Sequence, residues 1–131
     1  MNEPVEPDDE LDRLAHEVVD AALQVHRVLG PGFLESSYVQ SLQIELRARG
    51  IRFDSQVPVK VRYRDVVVGE GRIDLVVGGR LVVEAKAVSA LAGIHLAQIL
   101  SYLKAGGYRL GLVINFQVAL LKDGIRRVVL S

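Results

Sequence analysis

The chain contains no cysteine. Disulfide bridges, thiolate zinc sites and cysteine-held iron–sulfur clusters are therefore excluded, and a cytoplasmic setting is compatible with that lack. No apolar run approaches the roughly 20 residues that cross a bilayer, so no membrane partner is expected. A basic leader is also missing. The first residues read MNEPVEPDDELD, acidic where a secretory or transit signal would be basic, so export by that route is not expected. Formal net charge is zero, which gives no overall attraction to a polyanion. Neither an internal repeat nor a linker divides the chain. With 131 residues, half of them apolar, one domain with its own core is expected. It should comprise an acidic disordered leader over residues 1–8 and a folded domain over residues 9–131.

Zero net charge conceals an uneven distribution. Residues 1–20 carry eight acids against one base, Arg13, a balance of −7, and the remainder of the chain is +7. A body of that sign can attract a polyanion, while the acidic segment can shield it or pair with a partner.

Periodicity sets the order of elements. Leu11, Leu14, Ala15, Val18, Ala22, Val25 and Leu29 recur at helical spacing behind an Asp8 or Asp9 cap, and Gly30-Pro31-Gly32 stops the run. Leu34, Tyr38, Leu42 and Leu46 mark a second helix ending at Gly50. The period then changes to two: Val57, Val59, Val61 and Tyr63 alternate with Pro58, Lys60, Arg62 and Arg64. Turns at Arg64-Asp65 and Gly78-Gly79 lead into VVVGEGRIDLVV and LVVEAK. A third helix carries Leu96, Ile99, Leu100 and Leu103. RLGLVINF reads as a strand buried on both faces, and Asp123-Gly124 between two apolar runs reads as a hairpin signal. The pattern predicts an α+β or mixed α/β fold with helices packed on a central sheet.

Two of the Val-rich strands each hold a carboxylate, Asp74 in one and Glu84 in the next. A two-residue Gly78-Gly79 loop would put them on opposite faces, because side chains alternate along a strand. A three-residue loop, Gly78-Gly79-Arg80, pairs Val77 with Leu81 and sets Asp74 across from Glu84, and this is the arrangement expected. Directly opposed Cβ atoms lie about 4.5–5.5 Å apart, so two ionised carboxylates there repel unless a positive group joins them. A divalent cation with oxygen ligands meets that need, and Lys86, two residues past Glu84, shares its face. The competing reading is a wet sheet face carrying an incidental Asp, Glu and Lys.

Asp74 followed by Glu84-Ala85-Lys86 resembles the D…(D/E)xK core of the PD-(D/E)XK nuclease superfamily. The segment GFLESSY reads Gly32-x-x-Glu35-x-x-Tyr38 and looks like the signature of the GxxExxY family, and Gln98-x-x-x-Tyr102 is similar to the QxxxY motif of RecB-like nucleases. The proline that often precedes the first aspartate is Ile73 here. This resemblance implies a restriction-endonuclease-like core (αβββαβ) with an extra N-terminal helix and a C-terminal hairpin. It also implies that Glu35, Asp74, Glu84 and the Ala85 carbonyl hold Mg2+ or Mn2+. Lys86 would be the catalytic lysine, with Glu35, Asp74 and Glu84 in the same machinery. Gln98, Tyr102, Tyr38 and His95 would orient substrate or site residues; the first two and His95 share one helical stripe.

The function expected is metal-dependent hydrolysis of phosphodiester bonds, with nucleic acid as partner, DNA ahead of RNA, and a homodimer as the gripping unit on duplex. The alternative is a catalytically silent nuclease-fold module that binds nucleic acid or scaffolds a protein.

Overall fold

The computed structural model describes residues 8–131. All of the expected acidic leader except Asp8 lies outside the described residues. Helix α1 (Asp9–Leu29) starts where the Asp8 side chain accepts the Leu11 amide at 2.9 Å, satisfying a donor that the first turn leaves free. It buries Leu11, Ala15, Val18, Ala22 and Val25 along one stripe and ends at Gly30. Helix α2 (Glu35–Ala48) buries Tyr38, Leu42 and Leu46. Each of these fully buried aliphatic side chains contributes about 1.5–3 kcal/mol through removal from water.

Strands β1 (Phe53–Tyr63) and β2 (Val66–Val77) form a long antiparallel hairpin. Its apex, Arg64-Asp65, has φ of 51° and 65°, the two left-handed residues of a type I′ turn that matches strand twist. Pro58 is accommodated because β1 is an edge strand. Strand β3 (Leu81–Lys86) pairs antiparallel with β2, helix α3 (Gly93–Gly106) crosses over, and β4 (Leu110–Asn115) lies parallel to β3. Strand β5 (Ile125–Val129) completes a sheet ordered β1-β2-β3-β4-β5. All six residues of β4 are buried, as its unbroken apolar run predicts. Helices α1 and α2 cover one face of the sheet, in a cluster that includes Leu75, Val77, Val83 and Leu112. Helix α3 covers the other through Ile99 and Leu103 against Ile73, Val76, Val82 and Val113.

The C-terminal antiparallel pair is β4 with β5. Asp123-Gly124 lies in its connection as one turn of 3-10 helix, Leu121–Gly124, and the preceding apolar residues do not form a strand. Burial overrides the local turn signal here. Leu121 is drawn into the α1/α2 cluster, and a Cβ at Gly124 would collide with the Asn115 carbonyl oxygen, so the turn packs against the end of β4.

Three of the acids in residues 1–20 pair with bases of the same chain. Asp8 bonds Arg80 at 2.8 Å, Asp12 bonds Arg127 at 2.8 Å, and Asp20 lies 3.6 Å from Arg49. Such exposed pairs contribute only about 0–1 kcal/mol each, but they tie α1 to the strand ends and to α2.

Candidate active site

The β2–β3 connection is the three-residue loop. Val77 pairs with Leu81, Val76 with Val82 and Leu75 with Val83, and Gly78 and Gly79 take φ of 60° and 71°, which only glycine adopts without strain. The next step in that register sets Asp74 across from Glu84. There the backbone ladder gives way to side chains: the Asp74 amide donates to Glu84 Oε1 at 3.3 Å, and the Ala85 amide donates to Asp74 Oδ2 at 2.9 Å. The two carboxylates replace the next ladder bonds, so the pair is anchored by backbone rather than carried on flexible stems.

Burial makes this pair electrostatically costly. Glu84 is 4% exposed. Removal from water and the neighbouring Asp74 carboxylate push its pKa up to about 9, against the opposing pull of the Asp74 amide and Lys86. Without a cation, burial and the Asp74 carboxylate favour the protonated form of Glu84. Lys86 lies at the end of β3 with Nζ 3.4 Å from Gln98 Oε1, so the ammonium is held over the pair by helix α3.

Glu35 opens helix α2 and shares the lining of a cavity of about 430 Å3 with Asp74. Burial raises its pKa and Asp74 adds to the rise, while Lys86, the Ala87 amide and His95 oppose it. Among the described residues no three His, Asp or Glu side chains are gathered into a ready cation cluster. Asp74 and Glu84 touch, and Glu35 faces Asp74 across the cavity. The oxygen donors present, two carboxylates in contact and a third nearby, are of the hard type that suits magnesium or manganese, and the crowding of Asp74 on buried Glu84 calls for positive charge. The residues therefore fit a divalent ion.

A family model for the PD-(D/E)XK nuclease superfamily matches residues 12–128, nearly the whole chain. The chain belongs to the PD-(D/E)XK nuclease superfamily. No curated protein and no solved structure matches it. The mixed sheet with α3 as crossover is the fold of this nuclease superfamily.

Within this nuclease fold the other residues singled out in the sequence have specific places. Tyr102 lies across Gly71 of β2: a Cβ there would come within 2.7 Å of its ring, so only glycine admits the phenol. Burial raises the Tyr102 pKa, as do Glu84 and Asp74, and the Arg72 backbone amide opposes the rise. Gln98 faces solvent apart from Lys86. His95 accepts the Ala92 amide on Nδ1 at 2.9 Å and thereby caps the start of α3. Tyr38 is fully buried, stacks on Phe116 at 4.5 Å, donates to the Gly30 carbonyl at 2.6 Å and accepts the Phe33 amide at 3.2 Å. It locks the loop from which Glu35 emerges.

Two residues with a hold on the site have no counterpart in the motif. Asn115, buried at the end of β4, accepts the Val88 amide and donates to the Val88 carbonyl, fixing the segment that follows Lys86. A lone amide closing an otherwise apolar strand is its signal in the sequence. Gln56 of β1 stands across from Asp74, between the Ser55–Leu75 and Val57–Ile73 pairs, with φ of 51°. The strands change face here. Phe53, Leu75 and Val77 pack toward α1 and α2, whereas Val57, Val59 and Ile73 pack toward α3. Strict alternation would have kept them together. The change of face falls at Gln56 and Asp74 with the pairing on either side still in register, and no sequence pattern announces it.

Proposed function

We propose that the chain is a divalent-metal-dependent phosphodiesterase acting on nucleic acid, DNA ahead of RNA. The observation that carries this reading is the buried Glu84 held against Asp74 at the end of the β2–β3 ladder, with Lys86 beside them. Asp74, Glu84, the Ala85 carbonyl and Glu35 would hold a Mg2+ or Mn2+ ion. When bound, such an ion polarises a phosphate oxygen and lowers the pKa of a water. The Lys86 ammonium orients the attacking water or offsets charge that builds on the phosphate as the new P–O bond forms and the P–O3′ bond breaks. The 5′-phosphate stays with the product. Gln98 positions Lys86, and Tyr102 walls the site from the α3 side. His95, at the start of α3, lies near enough to Glu35 to oppose the rise of its pKa. A homodimer gripping duplex in the cytoplasm completes this reading.

A catalytically silent module is the competing reading, favoured by the separation of Glu35 from the Asp74–Glu84 pair. One experiment separates them. Labelled single- and double-stranded DNA and RNA are incubated with manganese or with chelator, using wild type, Asp74→Ala and Lys86→Ala. The nuclease reading expects manganese-dependent cleavage that falls by about 10²-fold or more in both variants. Equal rates in Lys86→Ala reject this assignment of the site, and no cleavage together with no manganese-induced rise in melting temperature supports the silent module.

A further inference from the structure

The cavity shared by Glu35 and Asp74 continues away from the acids as a groove between α2 and β1. Its far walls are Ser36, Gln40 and Gln43 on the helix and Gln56 on the strand. Ser36, Gln40 and Gln43 follow one another at i, i+4 and i+7, one face of α2 running about 10 Å from the candidate site. Opposite them is the left-handed Gln56. Gln56 is exposed and holds a φ of 51°, a left-handed conformation uncommon for a non-glycine residue.

The chemistry of this lining is selective. Among the described residues no lysine or arginine is part of the groove lining, and the Arg72 guanidinium is turned to the Gln56 carbonyl at 3.5 Å. Beyond the acids the lining is uncharged, with Ser36, Gln40, Gln43 and Gln56 polar and Val39 apolar, which suits a neutral occupant with an apolar face and an edge of donors and acceptors. Three glutamine amides offer paired donors and acceptors on both walls. We propose that this groove seats a nucleobase flanking the scissile phosphate, read by Gln40, Gln43 and Gln56, with adenine the best match because an amide can bond its N6 and N7 edges together. At about 430 Å3 the cavity has room for a purine. The base must be unpaired to enter, so a duplex gripped by the dimer has to be opened locally at the cut, and a single strand presents the base directly.

This inference rests on the phosphodiesterase reading, and its test keeps the two apart. Fluorescein-labelled single-stranded dT nonamers carrying one central dA, dG or dC, and their ribose counterparts, are cleaved by wild type in manganese. They are also titrated by fluorescence anisotropy against Lys86→Ala in calcium. The expected result is a preference for the adenine-bearing strand of about tenfold in binding, and in wild type a cut at a fixed offset from the adenine. Gln43→Leu and Gln40→Leu, made in the Lys86→Ala background for titration, should each reduce that preference severalfold while far-UV circular dichroism stays unchanged. Gln40 is exposed, so its replacement tests the groove even where Gln43→Leu perturbs folding. Equal affinity for all nonamers, or a preference that survives both substitutions, overturns the nucleobase groove. Lys86-dependent cleavage without base preference overturns the groove alone. Cleavage indifferent to Lys86→Ala overturns the catalytic reading, and the anisotropy titration still decides the groove.

Discussion

Glu84 accepts the backbone amide of Asp74 at 3.3 Å, across the point where the β2–β3 ladder stops. Glu84 therefore does not lie on a wet sheet face. One is buried, both are tied to backbone amides, and Lys86 with its Gln98 partner stands beside them. Like charges held so close make the metal-free fold depend on protons, and that dependence can be measured.

Burial and Asp74 raise the Glu84 pKa from 4.5 to about 9, so the folded protein keeps a proton that the unfolded chain releases. Its contribution to stability is full below the unfolded value and is lost as pH rises through the folded one. In chelator, the melting temperature should fall between pH about 5 and about 9. Glu84→Gln should flatten that fall, and manganese should raise the midpoint most at the alkaline end. A wild-type profile that rises over this range contradicts the buried acid pair.

Gly71→Ala places a methyl group 2.7 Å from the Tyr102 ring. We expect a loss of about 1–3 kcal/mol in chemical denaturation, as for other overpacked contacts. Tyr102→Ala should cancel much of that loss when combined with it, because the obstruction is then gone. Additive losses would show that the two residues do not press on each other.

Tyr38→Phe keeps the stack on Phe116 but removes the hydroxyl that joins the Gly30 carbonyl and the Phe33 amide. A cost of about 1–3 kcal/mol follows from the buried groups left without a partner. Because the same loop launches Glu35, the apparent manganese affinity should weaken as well, which a titration followed by thermal melting reads directly.

Arg64 and Asp65 both adopt left-handed φ at the hairpin apex, where Asn-Gly is the favoured pair. Arg64→Asn with Asp65→Gly should therefore stabilise the protein by about 0.5–1 kcal/mol, without altering cleavage. A destabilised double variant would mean that the arginine side chain has a role beyond the turn.

The hairpin apex and the acid pair were legible in the residues for the same reason. Turn chemistry and side-chain alternation are local: they reduced the Gly78-Gly79 loop to two lengths, and the three-residue one that forms sets Asp74 against Glu84. The helical stripes of α1 and α2 and the buried run of β4 were legible through the same periodicity. Asp123-Gly124 shows where this fails: a local turn signal gave way to Leu121, whose burial among distant helices outweighs the preference of two residues.

By itself the amino-acid order determined the helical stripes, the β1–β2 hairpin, the buried run of β4 and the motif residues that mark the superfamily, because each follows from spacing along the chain. Only tertiary packing decided that Tyr38 is spent on the Gly30 loop and that Glu35 stands across a cavity from Asp74. Packing likewise made the strands change face at Gln56 and brought the α2 glutamines opposite β1. Those relations join segments far apart in the chain, and the sheet's burial between helices on both faces sets them.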